Sequence, residues 1–146
     1  MKRFGERIVA GQKYIRRPGS YVILPYGDRV ILTLQDGPEP EFQLPGGGIE
    51  AGEHPIPALH REVLEETGWI IAQPRKVGIY NRFVYMPDYN MWAEKVCSIY
   101  VARPCYQLCD PLEPAHSVHI LTHATALEVT TDEGQNAFLR MVLTQS

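Results

Sequence analysis

The sequence predicts an α/β protein, a sandwich built on a mixed β-sheet. Three observations carry that prediction. β-rich runs occur before, between and after helical stretches, one helix is bracketed by Pro57 and Gly68, and a second apolar stripe follows Asp132-Glu133. The chain of 146 residues suits one domain, 1–146, with a single core.

Taken in order, Ser20 to Leu24 and Arg29 to Leu34 are rich in β-forming residues, and Pro25-Tyr26-Gly27-Asp28 between them reads as a hairpin turn. Gln35 to Glu41 is polar and contains prolines, so it is expected to be a loop leading to the short run Phe42-Gln43-Leu44. Pro45-Gly46-Gly47-Gly48 is expected to turn sharply, since glycine tolerates any backbone region. Pro57 fits the first turn of a helix and Gly68 the position just past its end. Ile56, Leu59 and Val63 recur at three and four residues and predict its buried stripe. Ala58, Arg61, Glu62, Glu65 and Glu66 take another face. Val77 to Met86 and Lys95 to Ala102 are expected as two further strands joined by Pro87-Asp88-Tyr89-Asn90, and Ser117 to Leu121 as a last one. The C-terminal helix is expected to bury Ala137, Phe138, Met141 and Val142.

Net charge is −3 and the sequence pI is about 5.9, which argues against a broad basic surface for duplex nucleic acid. Small anionic nucleotides stay compatible with that charge. No run approaches the roughly 20 apolar residues of a membrane span, and the first seven residues, Met1 to Arg7, lack the apolar stretch of a signal peptide. No membrane partner is expected, and a cytoplasmic location is the default. Cys97, Cys105 and Cys109 form no paired C-x-x-C cluster, so they read as reduced thiols rather than a zinc site.

The chemistry concentrates between Gly47 and Trp69. Glu62, Glu65 and Glu66 are three and four residues apart, which makes them neighbours on a helix surface. At about 5 Å and an effective dielectric of 20, each close pair repels by roughly 3 kcal/mol. Glu65 and Glu66 also sit in the last turn, where the helix macrodipole disfavours negative charge by about 0.3–1 kcal/mol each. A surface built for stability would carry Lys or Arg there. A hard divalent cation turns this repulsion into binding, and such cations usually arrive with phosphate.

The same stretch resembles the signature of the Nudix hydrolase family, G-x5-E-x7-R-E-U-x-E-E-x-G-U with U a bulky apolar residue. Gly47, Glu53, Arg61, Glu62, Val63, Glu65, Glu66 and Gly68 match in register, while Trp69 stands where an aliphatic residue is usual. The resemblance implies a Nudix-type α/β/α sandwich, with the signature helix on one side of a mixed sheet and the C-terminal helix on the other. It implies Mg²⁺ as cofactor, with Mn²⁺ as the alternative, and hydrolysis of the diphosphate linkage in a nucleoside diphosphate joined to another group. That substrate is a nucleoside triphosphate, a dinucleoside polyphosphate or a nucleotide sugar. The expected metal ligands are the Gly47 carbonyl with Glu62, Glu65 and Glu66. Glu62 is expected also to help deprotonate the attacking water, and Arg61 to pair with Glu53 or a catalytic glutamate. Glu94, Glu113 and His116 are the candidates for a base outside the signature.

Expected substrate contacts are Phe42 for stacking, Arg82 for phosphate, and Tyr85, which lies where some diadenosine-polyphosphate-cleaving relatives have a tyrosine. Gln35 stands where many relatives carry a basic residue. Two rival readings on the same fold are a nucleotide sensor without catalysis and a diphosphate isomerase. The expected assembly is a monomer or homodimer.

Overall fold

The computed structural model describes residues 1–145. Alternating side chains organise it. Strand β2 (Ile15–Tyr26) turns Ile23 to one side and Val22 and Leu24 to the other; β3 (Arg29–Gln35) turns Val30 and Leu32 to the first side and Ile31 to the second. Period-two alternation thus builds a core on each face of one sheet. One core holds Ile23, Val30, Leu32, Leu44, Tyr80, Cys97, Ile99 and Leu139, and the other Val22, Leu24, Ile31, Leu59, Val63, Trp69 and Tyr100.

The remaining elements are β1 (Lys2–Gly5), β4 (Glu41–Gln43), β5 (Gly46–Gly48), α1 (Pro55–Thr67), β6 (Trp69–Met86), β7 (Met91–Gln107), β8 (His116–Thr122), α2 (His123–Val129) and α3 (Glu133–Leu143). The sheet runs β1-β6-β7-β2-β3-β4, with β5 added to β2 and β8 to β3. β1–β6 and β2–β7 are parallel; the other pairs are antiparallel. The sheet is therefore mixed. α1 packs through fully buried Leu59 and Val63 on one face, and α3 through Leu139 and Leu143 on the other. At about 1.5–3 kcal/mol for each large apolar side chain buried, these four residues attach both helices. This is the α/β/α sandwich that the sequence predicts. No helix among the described residues is long and apolar enough to cross a membrane.

Several elements differ from expectation. β1 was not foreseen; Phe4 anchors it edge-on to Tyr80, ring centres 5.3 Å apart. β6 leaves α1 directly at Trp69 instead of starting at Val77, and β7 extends well beyond Lys95 to Ala102. Their pairing is interrupted by bulges near Ile70, between Ala72 and Arg75, and near Lys76, which hide the strand period in the sequence. β2 starts at Ile15, because it pairs with β7 from Ala93 onward. α2 was missed. In place of a sharp turn, Gly46–Gly48 is extended and pairs with Gly19–Tyr21.

The buried face of α3 is also rotated from the expected one. Leu139 and Leu143 are buried, Phe138 and Val142 pack against the core, Ala137 is only half-buried, and Met141 is exposed. The rotation is fixed at the helix start. Asp132 caps it by accepting from the Gln135 backbone N–H at 3.0 Å, and the Gln135 side chain accepts from the Leu44 N–H at 2.8 Å.

Candidate active site

Two adjoining cavities open where β2, β5, β6, β7 and α1 meet. The larger, about 750 Å³, is lined by Arg17, Gly48, Glu50, Glu62, Tyr89 and Lys95 among others; the smaller, about 210 Å³, by Gly46, Gly47, Glu66, Arg82, His116 and Asp132 among others. Tyr21, Gln35 and Lys95 line both. The carboxylate helix forms one wall.

Arg61 organises that wall. Its Nε donates to Glu53 Oε2 at 2.7 Å and its Nη2 to Glu53 Oε1 at 2.9 Å, a two-pronged contact. Its Nη1 donates to Glu62 Oε1 at 3.1 Å and to Glu65 at 3.4 Å. One guanidinium therefore reaches three of the four signature glutamates. Glu53 also accepts the Glu50 N–H at 2.9 Å. These contacts, led by Arg61, hold the Glu53 carboxyl down at about 2, and the same partners raise the Arg61 guanidinium above its ordinary value.

Glu66 points elsewhere. It is buried, its Oε1 accepts the Gly46 N–H at 3.1 Å, and Oε2 lies 3.7 Å from His116 Nε2. Burial above all, then the charges of Glu62, Glu113 and Glu65, push its carboxyl up to about 8 against the opposing hydrogen bond. Burial likewise raises Glu62, which Arg61 opposes. His116 is partly buried; its Nδ1 is 2.9 Å from Thr33 Oγ1, and desolvation above all lowers its pKa.

Two glycines make the wall possible. Gly46 has φ 142°, and a Cβ there would run into the Ser20 carbonyl oxygen. At Gly47 a Cβ would lie 2.7 Å from the Glu62 carboxylate, so the backbone approaches that carboxylate as no other residue could. The helix end is satisfied by backbone: Glu65 O accepts from the N–H groups of Leu112 and Glu113 at 2.8 and 2.9 Å, and Gly68 O from Leu108 at 2.8 Å. These donors offset the acidic last turn, which carries no basic residue.

The structure brings Glu53, Arg61, Glu62, Glu65, Glu66 and Gly47 together. It adds His116, and Glu113 is close enough for its charge to act on Glu62, Glu66 and His116. Glu94 is tied up elsewhere, with Arg16 at 3.6 Å and Asn81 at 3.0 Å. Of the expected substrate contacts, Arg82 lines the smaller cavity, where its Nη1 donates to Asp132 Oδ2 at 3.0 Å. Phe42 does not face the cleft. It packs on the core and edge-on to His119, and strand alternation gives the cleft to Glu41 and Gln43. Tyr85 lies outside both cavities, its hydroxyl donating to Asn90 Oδ1 at 2.7 Å. Sequence reasoning missed Arg17, Lys95 and Gln43, whose orientation depends on strand pairing.

Among the described residues, no three His, Cys, Asp or Glu side chains stand grouped as they would to hold a metal. Arg61 draws Glu62 and Glu65 sideways while Glu66 turns to Gly46. In kind, however, the donors fit a hard divalent cation: all are oxygen, and the Glu62 and Glu66 carboxyls are raised by burial and by neighbouring carboxylates.

A family model for the NUDIX domain matches residues 15–136. The chain belongs to the NUDIX family. Among NUDIX relatives, a putative 8-oxo-dGTP diphosphatase of Bacillus subtilis (strain 168) is 34% identical over 74 residues, 51% of this chain and 50% of that one. An RNA pyrophosphohydrolase of Halorhodospira halophila is 35% identical over 68 residues, 47% of this chain and 38% of that one. The chain thus spans half or less of the length of these relatives. In fold it is similar to the MutT protein of Bacillus halodurans, with a TM-score of 0.72 at 23% identity, covering 87% of this chain and 82% of that one. A NUDIX hydrolase from Nitrosomonas europaea gives 0.68 at 18% identity, covering 88% and 90%.

Proposed function

We propose that this protein is a divalent-cation-dependent pyrophosphohydrolase that cleaves the diphosphate linkage of a nucleoside diphosphate carrying a further group. One observation carries the reading: Arg61 clamps Glu53 and reaches Glu62 and Glu65, while Glu66 is turned to the Gly46 N–H beside a nucleotide-sized cleft. A solvated helix face has no use for such a clamp. The names of its relatives, a diphosphatase and a pyrophosphohydrolase, support hydrolysis of a phosphoanhydride.

Glu62, Glu65, Glu66 and the Gly47 carbonyl would hold Mg²⁺ or Mn²⁺. Such an ion, when bound, neutralises diphosphate charge and lowers the pKa of an attacking water. The chain's own residues do the rest. Glu62, on the wall of the larger cavity, accepts the water's proton. Arg61 and Glu53 hold the Glu62 and Glu65 carboxylates in orientation. Arg82 is positioned by Asp132 to meet an anionic group in the smaller cavity. Glu66 and His116 line the smaller cavity.

The test is a panel of nucleoside triphosphates, dinucleoside polyphosphates and nucleotide sugars, assayed for phosphate, diphosphate and nucleoside monophosphate release with Mg²⁺ and with Mn²⁺. Turnover of at least one class that EDTA abolishes is expected. Turnover surviving thorough chelation, or binding without any turnover, overturns the reading, the latter in favour of a nucleotide sensor.

A further inference from the structure

Three cations stand in one row across the sheet. Arg17 of β2 is register partner to Lys95 of β7, and Lys95 is register partner to Arg82 of β6. Register partners project to the same face, and the cavities agree: Arg17 and Lys95 line the larger, Lys95 and Arg82 the smaller. The next row on this face is already buried, with Cys97 opposite Tyr80. The row therefore forms the edge of the core under α3 and the floor of the cleft, in the two cavities that Glu62 and Glu66 also line.

Like charges directly opposite one another destabilise a strand pair. Only Arg82 is compensated, by Asp132 at 3.0 Å. Arg17 is exposed, donates to Met91 Sδ at 3.6 Å, and lies 5.9 Å over the Tyr89 ring. Lys95 makes no ion pair among the described residues. Gln35, where relatives of the family were expected to carry a basic residue, lines both cavities and is neutral. Positive charge has thus been placed on the sheet floor and not at that position. At the usual strand spacing of about 4.8 Å the row spans roughly 10 Å, enough to follow a linear chain of three phosphates and more than a single diphosphate needs.

We propose that Arg17, Lys95 and Arg82 form a track for a linear triphosphate chain, which makes chains of three or more phosphates preferred over diphosphates capped by an uncharged sugar. The proposal rests on the pyrophosphohydrolase reading for its biological use, but the binding can be measured without turnover. Calorimetry on the full chain in EDTA compares inorganic tripolyphosphate with pyrophosphate. Tripolyphosphate binds about tenfold or more tightly, and added salt weakens it. Lys95→Gln and Arg17→Gln each weaken tripolyphosphate by about tenfold and erase most of the preference, Lys95→Arg keeps it, and neither glutamine variant loses thermal stability, because each relieves repulsion.

Equal affinity for the two probes, or glutamine variants that bind tripolyphosphate as the wild type does, overturns the track. A nucleoside triphosphate and a short 5′-triphosphorylated oligoribonucleotide form separate arms; the tighter one identifies where the chain comes from. A protein that binds tripolyphosphate through these residues yet turns over nothing in the nucleotide panel defeats the hydrolase reading and leaves the track. One that hydrolyses a triphosphate with undiminished kcat/KM in Lys95→Gln defeats the track and leaves the hydrolase.

Discussion

Glu66 Oε1 accepts the backbone N–H of Gly46 at 3.1 Å, tying the last turn of α1 to the first residue of β5. Twenty residues of chain separate them, and the bond fixes the glycine strand against the carboxylate helix. The same carboxylate is nearly buried and repelled by its neighbours, so one group serves both assembly and chemistry.

Glu66→Gln is expected to separate those two roles. The glutamine carbonyl still accepts from Gly46, while the cost of burying an ionisable carboxyl among other carboxylates disappears. Melting in EDTA is expected at an equal or higher temperature than wild type. Turnover at saturating Mg²⁺ is expected to fall by at least two orders of magnitude. A clearly lower melting point without metal would mark the carboxyl itself as structural.

Gly46 and Gly47 are expected to respond differently to alanine. At Gly46 the new methyl meets backbone, the Ser20 carbonyl, at a φ that L-residues rarely adopt, so Gly46→Ala is expected to destabilise strongly or prevent folding. At Gly47 it meets only the end of the Glu62 side chain, which can swing away. Gly47→Ala is expected to fold with near-normal circular dichroism and to lose activity through a displaced Glu62. Equal loss of fold in both would show that the Glu62 carboxylate cannot move.

Arg61 and Glu53 act as a unit, which a double-mutant cycle reads directly. Residues that orient metal ligands typically cost about 10–100-fold in activity when removed. Arg61→Ala and Glu53→Ala are each expected in that range, with the double variant close to the worse single one. Because lysine lacks the two-pronged fork, Arg61→Lys is not expected to restore activity. Additive losses in the cycle would mean that Arg61 acts on Glu62 and Glu65 without Glu53.

What the sequence disclosed was local. The signature residues lie within one loop and one helix, and helical spacing alone brings Glu62, Glu65 and Arg61 together. Leu59 and Val63 were readable as core for the same reason. Phe42 was misassigned because the side a short strand shows to the cleft depends on its partner β3, not on its own composition. The Arg17–Lys95–Arg82 row exists only through the registers of β2 with β7 and of β7 with β6, long-range pairings that no single strand's composition reveals. Met141 was taken for core because the apolar stripe of α3 is phased by Asp132 and Gln135, two polar residues bonded at the helix start. His116 is legible in the sequence only as a candidate base outside the signature; pairing of β8 with β3 is what sets it against Thr33 and Glu66.

The general base is decided by comparing Glu62→Gln, Glu113→Gln, His116→Gln and Glu94→Gln at saturating Mg²⁺. Glu62 lines the larger cavity beside the Gly47 backbone, where a water attacking a diphosphate has room. His116 lies off that cavity, with Nδ1 engaged by Thr33 and Nε2 directed at Glu66, so it supports Glu66 and does not meet the water. Glu113 contributes charge to the cluster, while Glu94 is held by Arg16 and Asn81 away from it. General-base assistance contributes about 10²–10⁴-fold, and Glu62→Gln is expected to lose at least that in kcat because a ligand charge goes with it. His116→Gln and Glu113→Gln are expected to cost about tenfold each, and Glu94→Gln almost nothing. Glu113 acts on Glu62 and Glu66 through its charge alone, and of the four candidates only Glu62 stands both at the wall of the larger cavity and against the glycine strand. Near-normal kcat in Glu62→Gln together with a dead His116 or Glu113 variant would move the base to the stretch from Glu113 to the start of β8.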